Sequence, residues 1–466
     1  MAAHGRRVRC GERHGEMKTI FITIFQAVEA KNILRTSVAT ALLRDPDVAL
    51  VCLVPSEDRK AYYEREIVHP RISYEVLSPE PRGLAERFFS MLKFHLIRTA
   101  TMDLKRTLRR ADGGSALGYA MNLAANRLLA RPFVRGIARS LDAHVVTDRN
   151  VERVLRDRKP SLIFLAHLFD DLEISILREA KRLGIPTIGF INSWDKVTAR
   201  CMIRLLPDRL LVFNALVRDE AVAHADMPEE RITLVGIPQY DYYRTTVPRA
   251  RAAFAAAFGI APERRIIVFA PNGRYSARAD GAMIDLLHGW IEEGAIPNAA
   301  LLVRFQPNDA VDRREIERRP WLIYDIPGKR FGSERGGDWD MDERDLARLR
   351  DTLAHAAVVV CYTSSLSVDA AVFDRPVINV NFDLVRIPKR SESPIQYYGM
   401  THYQNALATG GIRVVSDRDS LLAWINRYLE HPECDAAGRE RLVRKQCHVC
   451  DGRAGERMAA RILETL

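Results

Sequence analysis

The sequence predicts an α/β protein made of two similar domains, each a parallel β-sheet covered by helices. A chain of 466 residues is too long for one ordinary core, and with 47% hydrophobic residues it is too apolar to be disordered. Short β-branched runs alternate with longer amphipathic stretches, a pattern typical of parallel sheets. The alternation occurs twice, so two domains of this class are expected, joined near residues 236–248.

Ten short apolar runs are predicted to be the strands. Strands of the first half are followed by a polar turn and a helical segment, such as 173–183, which ends at the helix stop Gly184-Ile185-Pro186. The predicted strands are 19–25, 48–54, 162–166, 187–191 and 210–213 in the first half and 265–270, 300–304, 358–361, 377–380 and 412–415 in the second.

The first sixteen residues are rich in Arg and Gly and are predicted to be a disordered extension, with Met17 as an alternative start. No apolar run approaches the roughly 20 residues that cross a bilayer. The run at 19–25 is short, β-branched and without a small-residue cleavage site, so we interpret it as a strand rather than a signal peptide. Seven cysteines without a regular spacing indicate a reduced, cytoplasmic protein.

One segment, residues 81–160, interrupts the alternation and is predicted to be a helical insertion. It contains 17 Lys and Arg against 7 Asp and Glu, an excess equal to the net charge of +10 of the whole chain. Apolar residues such as Phe88, Phe94 and Ile97 are mixed with these cations. Such helices bind anionic membrane surfaces, but an insertion that simply packs on its domain has the same pattern. Nucleic acid is not expected as a partner, because no binding motif accompanies the charge.

The strongest local signal for chemistry follows the strand predicted at 358–361. Thr363, Ser364 and Ser365 form a turn of small hydroxyl residues before a helix, and Asp369 lies about one helical turn further on. A serine at the helix N-cap would leave backbone N–H groups facing the carboxyl edge of the sheet, where a helix N-terminus favours a diphosphate. Asp369 could then accept a hydrogen bond from a ribose or sugar hydroxyl. A serine cap that binds no ligand is the alternative.

This turn, Asp369 and the later Asp374-Arg375-Pro376-Val377-Ile378 resemble the donor half of the GT-B superfamily. That superfamily includes nucleotide-sugar glycosyltransferases, nucleotide-sugar 2-epimerases and CDP-glycerol glycerophosphotransferases. The resemblance implies two Rossmann-like domains that face each other across a cleft, with a nucleotide-activated donor bound to the second domain.

Two further segments of the second half agree with this resemblance. Asn272, Gly273 and Arg274 lie where the superfamily places a loop over the donor, and the stretch from Arg304 through Gln306 resembles the strand and His-Pro turn of the epimerases and glycerophosphotransferases. Those enzymes have a functional histidine at the position of Gln306, and glutamine cannot shuttle protons near neutral pH. This difference favours a plain glycosyltransferase, in which Gln306 would only hydrogen-bond the donor.

In the first half, Ser193-Trp194-Asp195-Lys196-Val197-Thr198 resembles a Ser-Trp-Asp-x-x-Thr motif of bacterial surface-polysaccharide transferases. As in those proteins, it is followed by Pro207-Asp208-Arg209 and by Gly236-Ile237-Pro238-Gln239-Tyr240-Asp241. The tail 451–457 is similar to the closing helix that crosses back onto the first domain. The resemblance implies domains at 17–245 and 246–440, with a C-terminal helix in 441–466.

Group transfer from a nucleotide diphosphate requires stabilisation of the departing diphosphate. Neither a metal nor another cofactor is expected. Asp338-Trp339-Asp340 has the spacing of a metal site but is interpreted as a loop near the cleft, and Cys447 and Cys450 lack two further zinc ligands. Ser364, Ser365 and the forked side chains of Arg304 and Arg274 would hold the phosphates instead.

The base that deprotonates the acceptor is expected from the first domain. Asp195 is the first candidate because it follows a buried strand and lies beside Trp194, which suits stacking on a sugar; an N-cap or an ion pair with Lys196 is the alternative role. His167, Asp170 and Asp171 follow the strand at 162–166 and are the second candidates, with a structural role as the alternative for the histidine.

Glu29, Lys31 and Arg35, after the first strand, are third, with Arg35 contacting the acceptor or the phosphate. Glu29 and Arg35, with Trp194, Lys196 and Thr198, form the predicted acceptor side of the cleft.

The sequence thus predicts a glycosyltransferase that moves a sugar from a nucleotide-activated donor to a surface-glycan or lipid-linked acceptor. It would act in the cytoplasm, at the inner face of the membrane if the basic segment binds lipid. A CDP-glycerol-type glycerophosphotransferase and a catalytically inactive nucleotide-binding scaffold are the alternatives.

Overall fold

In the computed structural model the chain forms two parallel β-sheets, of seven and six strands, covered by helices. The structure describes residues 17–78, 80–273, 277–309, 311–331 and 339–466. The extension predicted for residues 1–16 lies outside this range. The α/β class with two Rossmann-like units is confirmed, whereas the boundaries at residues 245 and 440 stay predictions.

The first sheet has the strand order β3-β2-β1-β4-β5-β6-β7, and all its neighbouring strands are parallel. Its strands are β1 (Lys18–Thr23), β2 (Val48–Val54), β3 (Ile72–Val76), β4 (Leu162–Leu165), β5 (Thr187–Ile191), β6 (Arg209–Val212) and β7 (Ile232–Leu234).

The second sheet is also parallel and has the order β10-β9-β8-β13-β14-β15, while β11 and β12 form a separate antiparallel pair. These strands are β8 (Arg265–Ala270), β9 (Ala299–Arg304), β10 (Ile323–Asp325), β11 (Lys329–Arg330), β12 (Trp339–Asp340), β13 (Ala356–Cys361), β14 (Val377–Val380) and β15 (Arg413–Val415).

Helices connect the strands and cover both faces of the sheets. Up to the end of the first sheet they are α1 (Ala27–Ile33), α2 (Ser37–Leu42), α3 (Glu57–Glu66), α4 (Leu84–Leu92), α5 (Ala100–Ala111), α6 (Ala116–Leu129), α7 (Pro132–Val145), α8 (Arg149–Arg158), α9 (Asp171–Arg182), α10 (Lys196–Ala199) and α11 (Ala215–Ala225). The remaining ones are α12 (Pro238–Thr245), α13 (Arg251–Ala257), α14 (Ala277–Glu292), α15 (Arg313–Glu317), α16 (Glu343–His355), α17 (Leu366–Val372), α18 (Thr401–Leu407), α19 (Arg418–Glu430), α20 (Ala436–Cys447) and α21 (Ala454–Leu463).

All ten predicted strands are present, with ends within two residues of the prediction. The predictions omitted five strands. Of these, β3, β7 and β10 are edge strands with one neighbour each and partly exposed side chains, so their apolar signal is weak, and β11 and β12 are the two-residue strands of the separate pair. The interpretation of residues 338–340 as a loop was wrong for Trp339 and Asp340, which pair with β11.

The basic segment is helical from α4 to α8, and the described residues 80–160 contain no strand. Its inner side chains form a small apolar cluster that includes Leu96, Ile97, Met102 and Ala138, and Met202 joins this cluster from the first sheet's side. In the described part of the chain, no helix is both long enough and apolar enough to traverse a bilayer.

The last helix, α21, packs on α2 beside the first sheet. Asp241 accepts hydrogen bonds from the backbone N–H groups of Ala454 and Gly455 at 3.0 and 2.7 Å, and so caps this helix. A Cβ atom on Gly455 would lie 2.2 Å from Ser37 Oγ, so a glycine is required where the two helices touch.

Strand order determines where the functional loops meet. In each sheet the connections run to opposite sides of a central pair, β1 and β4 in the first and β8 and β13 in the second. Ligands of open parallel sheets bind outside the carboxyl ends of the strands at such a reversal point. The loops after these four strands, together with the helices that directly follow them, contain most of the described residues proposed from the sequence.

Candidate active site

The candidate active site is a cleft of about 360 Å³ between the two halves of the protein. Lys31 and Gln239 line it from the first half. From the second half it is lined by several residues proposed for donor binding, including Arg304, Gln306, Thr363, Ser364, Ser365 and Asp369. The loops after β8 and β13 thus meet at one wall, as their places in the second sheet require.

The hydroxyl turn after β13 is held by its own backbone and by a tyrosine. Ser364 Oγ accepts a hydrogen bond from the Leu366 N–H at 3.2 Å, and the Ser364 N–H donates to the Tyr403 hydroxyl at 3.3 Å. Ser365 occupies the N-cap position of α17, but its side chain makes no capping hydrogen bond and is exposed. The capping contact is therefore made by Ser364, which leaves the Ser365 hydroxyl facing solvent beside the cleft.

Asp369 joins the two walls of the cleft. It is buried, and one of its carboxylate oxygens accepts a hydrogen bond of 2.7 Å from the Tyr243 hydroxyl. Burial raises the pKa of Asp369 above its ordinary value, although Lys31 and Tyr243 act in the opposite direction. Burial also lowers the pKa of Lys31, and the nearby Asp369 opposes this effect. Asp369 therefore lines the cleft and also interacts with Lys31 and Tyr243 on the opposite wall.

Arg304 and Gln306 lie in the cleft but are already engaged. The Arg304 guanidinium forms a buried ion pair with Asp325, whose other oxygen accepts from Arg348 at 2.7 Å. The Gln306 amide donates to the carbonyl oxygens of Pro271 and Asn272 at 3.1 and 3.2 Å. Gln306 thus holds the loop after β8, a role that needs no proton transfer.

That loop is shaped by two aspartates. The N–H groups of Asn272 and Gly273 donate to the Asp280 carboxylate at 3.0 and 2.8 Å. Gly273 has φ +91°, and a Cβ atom there would lie 2.6 Å from the Asp309 carboxylate, so the position requires glycine. Arg274, the third residue proposed for this loop, lies outside the described residues.

On the first-half side, a buried group of ionisable residues lies at the carboxyl ends of β1, β4 and β5. Burial raises the pKa of Glu29 to about 8 and that of Glu173 well above its ordinary value. Burial lowers the pKa of Lys196 to about 8 and that of His167 well below its ordinary value. Glu29 and Lys196 influence each other directly, since each is among the charges that shift the other.

Two of these groups have buried atoms without a hydrogen-bond partner among the described residues, Glu29 Oε1 and His167 Nε2. Asp170, by contrast, caps α9, because its side chain accepts from the Leu172 N–H at 3.0 Å. Asp170 is therefore engaged at the start of α9, whereas Glu29 Oε1 and His167 Nε2 have no partner among the described residues. Because His167 Nδ1 accepts from the Phe169 N–H, Nε2 is the nitrogen that carries the proton in the neutral ring.

Asp195 and Trp194 meet two residues of the second half that the sequence did not single out. The Trp194 ring contacts those of His402 and Tyr403, with centroids 5.1 and 5.7 Å apart. Although burial acts to raise it, the pKa of Asp195 is held below its ordinary value by His402 and by the Ser193 hydroxyl that donates to it. Burial lowers the pKa of His402, whose Nδ1 has no partner among the described residues.

Tyr403 completes the connection between the two halves. Its hydroxyl contacts the Ser364 N–H and donates to Asn379 of β14, while its ring contacts Trp194. The turn after β5 in the first sheet and the hydroxyl turn after β13 in the second therefore converge on one side chain. Neither His402 nor Tyr403 lies in a motif, so only the approach of α18 to the first half identifies them.

The remaining predicted cleft residues serve contacts between elements. Arg35 forms a buried ion pair with Asp340 and donates to the Tyr62 hydroxyl at 3.0 Å. Thr198 is fully buried, and its carbonyl oxygen accepts from the Thr99 hydroxyl at 2.6 Å. These pairings attach the second half and α5 to the first sheet.

Asp340 belongs to the acidic stretch considered for a metal, and Asp338 lies outside the described residues. Where the structure describes the chain, it brings no three His, Cys, Asp or Glu side chains together as metal ligands.

Replacing Glu29 with glutamine is expected to flatten the pH dependence of the melting temperature between about pH 4.5 and 8. Because the folded pKa of Glu29 is raised, the stability it contributes is present below its ordinary pKa and is lost as the pH rises through 8. The lowered pKa of Lys196 acts above this window, and Glu173 leaves a residual slope in the variant. Melting curves from pH 4.5 to 8 measure the difference.

The exposed Glu440→Gln variant is the matched control and should follow the wild-type profile. An unchanged slope in Glu29→Gln would show that Glu29 is not protonated in the folded protein.

Comparison with known proteins agrees with this geometry. The model of the family described as CDP-Glycerol:Poly(glycerophosphate) glycerophosphotransferase matches residues 210–464. No curated protein sequence matches the chain.

Several solved structures share the fold at low sequence identity. S. aureus MnaA in complex with UDP has a TM-score of 0.53 at 11% identity, covering 97% of this chain and 98% of that one. The wall teichoic acid polymerase TagF with CDPG has a TM-score of 0.52 at 13% identity, with coverage of 96% and 88%. The UDP-GlcNAc 2-epimerase of Neisseria meningitidis bound to UDP-GlcNAc has 0.51 at 11% identity, with coverage of 96% and 99%.

Proposed function

Because the chain belongs to the CDP-glycerol:poly(glycerophosphate) glycerophosphotransferase family, we propose that it transfers a group from a nucleotide-activated donor to a hydroxyl of an acceptor. The observation that carries the proposal is the convergence of two strand-end turns. Trp194 after β5 and Ser364 after β13 both contact Tyr403, beside a cleft of about 360 Å³, and Asp195 directly follows Trp194. An acceptor and a donor held on opposite walls would meet there.

The first candidate for the transferred group is a sugar. Asp195 takes the proton of the acceptor hydroxyl, the acceptor oxygen bonds to the anomeric carbon, and the bond from that carbon to the donor phosphate breaks with its electron pair on the diphosphate. The hydroxyl groups of Thr363, Ser364 and Ser365 bind the departing phosphates in this proposal. Gln306 supports a sugar, because it occupies the position of a histidine in the glycerophosphotransferases and is engaged in holding a loop.

Glycerophosphate is the second candidate, favoured by the family match over residues 210–464. In that reaction the acceptor oxygen attacks phosphorus, and the nucleoside monophosphate departs with the electron pair of the broken P–O bond. The same base and the same phosphate-binding turn serve this reaction, so the cleft accommodates both candidates. TagF with CDPG and the epimerase bound to UDP-GlcNAc represent the two donor types among proteins of this fold.

The acceptor we propose is a surface glycan or a lipid-linked saccharide presented at the inner face of the membrane. The basic segment 81–160 supports this location, because its helices expose apolar side chains among the cations. We propose no metal or cofactor for the reaction.

A donor is expected to raise the melting temperature by several degrees, because ligand at a hundredfold excess over its Kd stabilises by about 2.7 kcal/mol. The panel contains CDP-glycerol and the UDP-, GDP-, CDP- and CMP-sugars. Asp369→Asn should reduce the shift, since Asp369 lines the cleft and joins its walls. The exposed Ser140→Ala variant on α7 is the control and should retain the full shift.

If no donor shifted the melting temperature of the wild type, the donor-site assignment would fail. Turnover of CDP-glycerol but not of the sugars would select the second candidate. Donor binding without turnover on any acceptor would identify a nucleotide-binding scaffold instead of an enzyme.

A further inference from the structure

The helices of the basic segment expose apolar side chains to an unusual extent. Of the nineteen large hydrophobic residues exposed in the described chain, eleven lie between residues 84 and 145. On α6 they are Leu117, Met121 and Leu128, and on α7 Phe133, Ile137 and Leu141, each between 51% and 70% exposed. Their spacing puts them on one face of each helix. Single exposed hydrophobics are common, but a set of this size marks an interaction surface.

Beside these apolar faces, α5 and α6 carry cations that the protein neutralises only in part. Arg106 and Arg127 share one carboxylate, that of Asp103, with distances of 2.9 Å each. Arg109 and Arg110 are exposed, and among the described residues neither forms an ion pair or a side-chain hydrogen bond.

Asp112, two positions after Arg110 in the sequence, forms no ion pair with these arginines among the described residues. Asp112 accepts hydrogen bonds from the backbone N–H groups of Arg390 and Ser391 at 2.7 and 3.1 Å, on the second half of the protein.

These cations surround a cavity of about 280 Å³ between the end of α5 and the first turns of α6. Its walls are Arg106, Arg109 and Arg110 together with Ser115, Tyr119 and Asn122. Three guanidinium groups and polar side chains in one small cavity match the needs of a phosphate group, which accepts bidentate hydrogen bonds from arginine. Leu117 and Met121 extend from the same α6 turns into solvent, so an apolar ligand continuing from the phosphate would meet them.

We propose that this arginine cavity binds the phosphate headgroup of an anionic lipid, while the exposed side chains of α6 and α7 enter the apolar region of the same leaflet. Charge complementarity selects a lipid bilayer as the occupant, because the cavity is cationic and its surroundings are apolar. The biological role of this lipid site rests on the proposed function, because binding to the membrane would hold a lipid-linked acceptor near the cleft.

The test is co-sedimentation of the full chain with phosphatidylcholine vesicles that contain or lack phosphatidylglycerol. Arg109→Gln/Arg110→Gln should lower partition onto the anionic vesicles by about thirtyfold, because each cation near an anionic surface contributes about 1 kcal/mol. Leu117→Ser/Met121→Ser should lower partition onto both kinds of vesicle. The exposed pair Arg149→Gln/Arg153→Gln on α8 changes the charge of the same segment equally and should lower partition by about threefold at most.

Equal losses in the two arginine pairs would overturn the proposal, because binding would then follow the total charge and not the cavity. No sedimentation of the wild type with anionic vesicles would overturn it as well. Inorganic phosphate is the third arm: a rise in melting temperature that requires Arg109 and Arg110, with no vesicle binding, would assign the cavity to a free phosphate and overturn the lipid.

Donor-induced shifts of melting temperature in Arg109→Gln/Arg110→Gln separate this inference from the proposed function. We expect those shifts to equal the wild-type shifts, because the cavity lies outside the cleft lining. A wild type that binds vesicles but no donor would contradict the proposed function and leave the lipid site standing.

Discussion

Asp195→Asn is expected to lower the turnover number by about 10² to 10⁴-fold while changing KM little, because general-base catalysis contributes that much. Asparagine keeps the shape of the side chain and the contact with Ser193 but cannot accept a proton. Asp195 lies beside His402, and the pKa of Asp195 is held below its ordinary value, so its carboxylate is ionised at neutral pH. Initial rates with the donor identified by melting, over a range of acceptor concentrations, measure the effect.

The matched control is Asp219→Asn, which removes a carboxylate from a largely exposed pair with Arg218 and should leave turnover unchanged. Activity of Asp195→Asn within about threefold of wild type would contradict its role as the base. His402→Gln and His167→Gln would then test the two histidines of this region as the base.

Arg204→Met is expected to lower the free energy of unfolding by about 3 to 5 kcal/mol, because it leaves two buried carboxylates short of their partner. Arg204 Nε donates to Asp142 at 2.7 Å and its NH2 group donates to Glu86 at 3.0 Å, with side chains that are 2%, 2% and 10% exposed. Arg178 also contacts both carboxylates. Urea denaturation followed by circular dichroism measures the loss.

This network fastens the basic segment to the first sheet, since Glu86 lies on α4 and Asp142 on α7, while Arg178 lies on α9. Arg218→Met is the control: the carboxylates that it pairs with, Asp219 and Glu229, are exposed, so its loss should be much smaller than that of Arg204→Met. The double variant Arg204→Met/Glu86→Met should lose less than the sum of the single variants. A loss below about 1 kcal/mol for Arg204→Met would mean that the network adds little to stability.

Interior strands were predictable because their residues are buried on both faces, which leaves a continuous apolar run in the sequence. β4 and β13, for instance, are almost entirely buried along their length. The edge strands β3, β7 and β10 have exposed or polar positions and left no such run. The apolar pattern thus follows burial, and it missed these three half-exposed edge strands although it identified the edge strand β15.

The part of the candidate site that follows the ends of strands could be predicted from the sequence. Ser364, Asp369, Trp194 and Asp195 were found because parallel strands bring their carboxyl ends to one edge, where small hydroxyl and acidic residues interrupt the apolar pattern. Their partners in the second half could not be predicted, because His402, which contacts Trp194, lies 208 positions later in the sequence. Arg304 and Arg35 were assigned to ligands, whereas the structure pairs them with Asp325 and Asp340.

Pattern and composition alone established the α/β class, the two repeats of strand and helix and the cationic character of residues 81–160, because each depends on residues close together in the chain. Tertiary structure alone decided which charges are free. It neutralised Arg304, Arg35 and Arg204 with buried carboxylates and left Arg109 and Arg110 unpaired beside an apolar face. An ion pair forms between groups a few ångströms apart, and that distance is set by packing rather than by position in the sequence.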